Sequence, residues 1–434
     1  MCAFIHDYFN FEFMRYLKLT VILFIIFASV NAKGNNFSIK DTTSIHQKEN
    51  YYSFVIQDSP VGLTTMRQSN QNYLSTYRLL SNELYKNVKP KTGLIIQTLV
   101  ELLSYPLTHE EGHRSILTSL GIGSISQPLY NLQGVAYVNG VRDAELQNLR
   151  DNNLPNYIRL HTSGIESDYM IGNTAEKLIV FNLDSRRNLF VEVYFRKLLT
   201  MAYYTSSLLP ALMPDIKENS NELLNDIVGH DVYGAIKNLH RPKEPFYRYT
   251  NYDDLTKEEL YFIKRVGYRA LINVASPIFF KKLILVNKPQ VKLSLSAGYT
   301  MSPFGDFIDE NIYLMLKNKY KIHAYLRHFE NKQTWFPAGG ISLTDYKFSS
   351  KFSTDVATHV WSQPENMDFN TTKSVFGGAV DILLKYKILN LHAGNTMSLD
   401  LGLIYKTKGF LPEEVQLNEH FGVRLGLTLN LLKK

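Results

Sequence analysis

Two histidines four residues apart, with a glutamate directly after the first, occur at His109-Glu110-Glu111-Gly112-His113. On an α-helix, positions i and i+4 share one face about one turn apart, so the pair can aim two imidazole nitrogens at a single metal ion. Glu110 leaves the helix at a neighbouring angle, where its carboxylate can hold a water without being a ligand. The chemistry this permits is hydrolysis, with a Lewis-acidic ion activating water and Glu110 as general base.

The flanking residues must put the motif on a helix. Thr92–Leu107 is strongly apolar, with Leu94, Ile95, Ile96, Leu99, Val100, Leu102 and Leu103. Ile116, Leu117 and Leu120 continue at helical spacing after the motif, and Gly121 and Gly123 supply a stop. The spacing predicts a helix with one buried flank, kinked or restarted at Pro106 with Thr108 as N-cap. The bland reading is two surface histidines on an ordinary helix.

The motif resembles the zincin metallopeptidases, and Gly112 matches their common H-E-x-G-H form. The resemblance covers His109–His113 and, more weakly, Gly164–Asp168. It departs from the metzincin pattern, because Ser119 stands where that branch has a third histidine. H-E-x-G-H also occurs in intramembrane site-two proteases, but Glu101, Glu110, Glu111 and Arg114 crowd a region that those enzymes keep uncharged. The resemblance implies Zn²⁺ on three protein ligands, with one position left for water. In the gluzincin branch the third ligand is a glutamate on a later helix, and Glu166, 53 residues after His113, is the candidate. Asp168 is the second choice, or a partner orienting a histidine. His161, His230 and His240 could also supply the third ligand. Ser163 is expected to cap a helix running to Ile179, with Glu166 at the capping-box position, and that role alone would also explain Glu166. Tyr169 and His230 are candidate oxyanion donors. His230 could be oriented by Asp231, or could simply be a surface cap.

The chain has 434 residues, 45% hydrophobic and 20% charged, which excludes a wholly disordered protein. The net charge of +7 is spread without a dense basic block, which argues against a nucleic-acid partner and permits weak attraction to an anionic membrane. At the N-terminus, Arg15 and Lys18 precede the apolar run Leu19–Phe27 and the small-residue stretch Ala28–Ala32. This pattern predicts a signal peptide over 1–32, with Met14 as a second possible start and a short N-terminal anchor as the competing reading. Cys2, the only cysteine, would leave with that segment, so neither disulfides nor cysteine ligands are expected. A large exported chain without cysteine suits the periplasm or outer membrane of a bacterium.

Residues 33–90 read as a leader and packing segment, and 91–268 as a mainly helical metal-binding domain. From 269 to 434 short runs alternate with period two, from Val291–Tyr299 to His420–Leu431, giving about eight antiparallel strands. The fold class expected is α+β. The β region resembles an outer-membrane β-barrel, with an apolar face and aromatics near strand ends, although it runs on into Leu432-Lys433-Lys434 instead of ending on an aromatic. A soluble sandwich or half-barrel, with its apolar face inward, would alternate in the same way. Gly339-Gly340 and Gly377-Gly378 are expected at bends or bulges. Two functions compete. One is a zinc-dependent hydrolase of the envelope acting on protein or peptide, and the other a non-enzymatic envelope protein whose motif helix is structural.

Overall fold

The computed structural model describes residues 49–434 apart from 131–135, 214–215, 217, 281–284, 289, 392–393 and 433–434. The expectations for the signal segment, the start residue and Cys2 lie outside the described residues. The fold is α+β, with seven α-helices among the described residues and a large antiparallel sheet.

Helix α1 spans Met66–Asn87 and α2 spans Pro90–Ser119. Helix α3 is Asp143–Asn152, α4 is Leu154–Val180, α5 is Arg186–Ser206, α6 is Asp231–His240 and α7 is Lys257–Arg269. The centre of the molecule is α4, on which 21 of 27 residues are buried. It begins nine residues before the expected cap at Ser163. Asn153 precedes it and Pro155 lies in its first turn, where a missing N–H costs nothing. Ser163 is therefore in the helix interior, and its hydroxyl donates to the Leu160 carbonyl at 3.1 Å. Helix α2 likewise runs unbroken through Pro106. Thr108 is not a cap there but a buried residue whose oxygen accepts from Arg196 at 2.8 Å.

The main sheet has ten strands. β1 is Glu49–Gln57, within the segment that reads as a leader. After the two short paired strands β2 (Ile125–Gln127) and β3 (Tyr137–Asn139), the sheet resumes with β4, Val286–Lys288. β5 to β8 are Val291–Ser302, Gly305–Leu316, Tyr320–Glu330 and Trp335–Lys347. β9 to β12 are Phe352–Pro364, Ser374–Asn390, Thr396–Lys406 and His420–Leu432. The order is β1-β12-β11-β10-β9-β8-β7-β6-β5-β4, so β5–β12 form the expected eight-strand meander, and the sheet is not closed. The paired glycines do not mark bulges. The register is continuous at Gly377-Gly378 and Gly339-Gly340, and the shift in β8 falls between Leu343 and Tyr346. Gly377 and Gly340 instead make room for the rings of Trp361 and Tyr325 on neighbouring strands.

Polarity across the sheet is inverted relative to a soluble sandwich. Along β11, Ser398, Asp400 and Lys406 are buried, whereas Leu399, Leu401, Leu403 and Tyr405 are exposed. The inner face carries ion pairs, among them the buried Arg327–Asp309 at 2.6 Å and the partly buried Lys385–Asp355 at 2.8 Å. Helix α4 packs against this face, with the Tyr169 hydroxyl donating to Asp309 at 2.7 Å. A polar cavity of about 230 Å³ lies between them, lined by Arg67, Lys177, Asp355, Asp381 and Arg424 among others.

Helices bridge the two ends of the sheet. Asn72 of α1 exchanges hydrogen bonds with the Val55 backbone of β1 at 2.7 and 2.9 Å. Tyr73 of α1 donates to Glu101 of α2 at 3.0 Å, and Glu101 pairs with Arg196 of α5 at 3.0 Å. Tyr204 of α5 reaches Thr300 of β5 at 2.8 Å.

Candidate metal centre

The site is built where α2 crosses α4, with the first turn of α6 closing over it. The crossing is close because glycine faces the neighbouring helix on both sides. A β-carbon at Gly112 would overlap the Ser163 carbonyl, and one at Gly164 would overlap Nε2 of both His109 and His113. Gly112 is thus required by packing as well as by resemblance.

Both imidazoles are oriented from behind. His109 Nδ1 donates to Asp168 at 2.8 Å, and His113 Nδ1 donates to the Leu160 carbonyl at 2.6 Å. A carbonyl can only accept, so His113 carries its proton on Nδ1 and turns the lone pair of Nε2 forward. The carboxylate of Asp168 imposes the same tautomer on His109. The two Nε2 atoms then converge on one oxygen, Asp231 Oδ2, at 3.3 and 3.4 Å. These separations are close to the edge of a tetrahedron around zinc with bonds of about 2.0–2.1 Å, roughly 3.3 Å. His109, His113 and Asp231 are buried, and together they can hold a metal ion.

The electrostatics favour a cation. Burial lowers the proton affinity of both imidazoles. Asp168 and Asp231 outweigh that effect at His109, and Asp231 does so at His113, so both lie above the ordinary histidine value. Burial pushes Asp231 up, but the two imidazoles hold it well below the carboxylate range. Attraction that retains a proton on the imidazoles equally attracts a divalent ion.

Glu110 is 7% exposed. Burial lifts its pKa to about 7 against the opposing pull of the two histidines. That places its proton exchange near neutrality, as a general base requires. Tyr203 of α5 donates to the same Asp231 Oδ2 at 3.0 Å, and its ring lies 5.4 Å from that of His109.

Of the residues singled out in the sequence, His109, His113 and Glu110 come together and Glu166 does not join them. Both Glu166 oxygens are taken by Arg159, at 2.7 and 3.0 Å. Helical geometry explains this. Gly164 faces the rings, so the residue two positions on points about 200° away, while Asp168, four positions on, returns to the same face. Asp168 accordingly holds the orienting role. It is itself fixed by Arg196 at 2.5 Å, a guanidinium shared with Glu101 and Glu192. Tyr169 is committed to Asp309. His230 stands at the N-cap position of α6 without a side-chain capping bond, buried and not on the surface, with its ring 5.3 Å from that of Tyr233. His240 Nδ1 bonds the Ile236 carbonyl, and His161 is fully buried beside Tyr157.

Asp231 stands out in the sequence only as a companion of His230. Its one signal is position, a carboxylate in the first turn of a helix. Arg196 and Glu101 carry a stronger one, as charges inside otherwise apolar helices. No known protein family, curated protein or solved structure matches the chain.

Proposed function

We propose that this protein is a zinc-dependent metallohydrolase, a peptidase of a bacterial cell envelope that acts on protein or peptide. The observation that carries the reading is the convergence of two correctly tautomerised imidazole nitrogens on one carboxylate oxygen, with Glu110 following the first histidine. A divalent ion held by His109, His113 and Asp231 would supply Lewis acidity, lowering the pKa of water and polarising a peptide carbonyl. Glu110 would accept the proton of the attacking water and return it to the leaving amine nitrogen. Asp168 and the Leu160 carbonyl keep both imidazoles as donors of an Nε2 lone pair throughout. The Tyr203 hydroxyl, now on Asp231, is positioned to donate to a substrate oxygen. The outward apolar face of the sheet supports membrane association.

The deep burial of the three donors favours one other reading, a structural metal in a non-enzymatic envelope protein. Metal analysis with a peptidase assay separates the two. The hydrolase has about one zinc per chain, lost in His109→Ala and in Asp231→Ala. Glu110→Gln retains the zinc and loses the activity. Peptidase activity that survives Glu110→Gln, or a wild-type protein that takes up no zinc, overturns the proposal.

A further inference from the structure

The outer surface of α2 is unlike that of a helix facing water. Between Gly93 and Glu110 every exposed position is aliphatic: Ile95, Leu99, Val100, Leu103 and Leu107. Ile95, Leu99 and Leu103 are 62%, 56% and 63% exposed. The other side of this stretch buries Gln97 and Glu101 in hydrogen bonds to α1 and α5. The helix is therefore apolar outside and polar inside, the same inversion as in the sheet whose ends it helps to bridge. Lys89 and Lys91 stand exposed at its start. No helix among the described residues is long and apolar enough to cross a membrane by itself, as expected of a wall whose inner side is polar.

The sheet's outer face has the layering of a surface that meets lipid. Leu295, Ile312, Leu326, Ile341, Val380 and Leu401 are exposed along the middle of the strands. At one rim, where β7 meets β8, β9 meets β10 and β11 meets β12, the exposed aromatic residues include Trp335, Phe376, Tyr405 and Phe421. Phe348 and Tyr386 are exposed towards the other rim. Strands β5–β12, of 11 to 17 residues, reach or exceed the roughly nine to eleven that a tilted span needs. A water-facing sheet would reverse this polarity, and an exposed apolar face of this extent needs an apolar occupant.

Contacts along α4 fix the height of α2 against this sheet. Tyr169 meets Phe307 and Asp309 near the start of β6, at the aromatic rim, and Phe181 meets Tyr313 towards its other end. Helix α2 lies antiparallel to α4, with His113 at Leu160 and His109 at Asp168, while Gln97 reaches Asn188, beyond the end of α4. Leu103 is thus level with the middle of the strands and Ile95 lies towards their far end, whereas His109 is level with the aromatic rim.

We infer that α2 is a lipid-facing wall completing the sheet's apolar belt, so that the metal centre sits at the membrane–water interface and takes peptide segments anchored in the bilayer. The inference rests on the membrane reading above. Its test uses the full chain with Cys2→Ser, a cysteine added at one position, an environment-insensitive fluorophore on it, and phosphatidylcholine vesicles with brominated acyl chains. Labels at Leu99→Cys and Leu401→Cys lose most of their fluorescence, and a label at Lys243→Cys keeps it. Leu103→Cys repeats the α2 measurement should the first variant fold poorly. Quenching at Leu401→Cys with none at Leu99→Cys and Leu103→Cys overturns the inference while leaving a membrane-bound sheet. Quenching at none of these positions overturns the membrane reading as well.

Discussion

The protein buries charge in two places and handles it in opposite ways. On the inner face of the sheet most charges meet a complement: Arg327 with Asp309, Lys385 with Asp355, Arg424 with Asp381. In these pairs desolvation is offset by a fixed partner. At the crossing of α2 and α4, two imidazole lone pairs and a carboxylate oxygen face one another, the ring N–H donors are committed behind the rings, and the one hydroxyl that answers, from Tyr203, serves the carboxylate alone. Paired burial specifies a structure, whereas converging acceptors specify a cation. The contrast marks a candidate metal site better than burial or perturbed proton affinity alone, since both regions have those.

The largest expected effect sharpens this contrast at the site. Glu110→Gln should lower peptidase kcat by about 10²–10⁴-fold, the usual worth of a general base. Its zinc content and melting temperature should be those of wild type, because Glu110 is not among the converging donors. In the sheet, Arg327→Met should cost about 3–5 kcal/mol in denaturant unfolding by leaving Asp309 buried without its cation, with only the Tyr169 hydroxyl to answer it. The double variant Arg327→Met with Asp309→Leu should recover most of that loss and bind zinc normally. If zinc binding falls with either sheet variant, the two regions are not separable as described.

Acid should also tell the regions apart. Burial, with nearby cations, pushes His323 down from 6.5 to about 3 and His359 to about 4. The unfolded chain then binds more protons than the folded one between those values and 6.5. Stability from these residues is complete above pH 6.5 and is lost as pH falls through about 4 and 3. Urea unfolding at pH 7 and pH 4.5 should show a loss of roughly 2–3 kcal/mol from each histidine, about 5 kcal/mol together, that shrinks in His323→Gln with His359→Gln. The smallest effect is expected at the helix crossing. Gly164→Ala should displace the imidazole nitrogens and weaken zinc affinity by about 10–100-fold, as measured by chelator competition, with the sheet's stability unchanged.

Some of this is plain in the sequence, and the rest is hidden for physical reasons. His109, Glu110 and His113 are readable because their geometry is contained in one helical turn. The eight-strand meander is readable because period two persists through every strand. Asp231 is not, since it reaches the site from 122 residues beyond His109 through tertiary packing alone. Glu166 looks right by spacing along the chain, but the start of α4 at Leu154 sets the helical phase and turns it towards Arg159. The run Tyr51–Ile56 hints at a strand, but its pairing with the far end of the chain leaves no local mark. The direction of the apolar face is also out of reach, because alternation fixes two faces without saying which one looks inward.

The pairing of β1 with β12 has a consequence for how the molecule is made. Ser53 and Thr428 share a hydrogen bond across 375 residues of chain. During synthesis the helices that carry the histidines and Asp231 leave the ribosome well before the strand that β1 needs. The residues of the candidate metal site are therefore made before β12, the strand that gives β1 its place in the sheet.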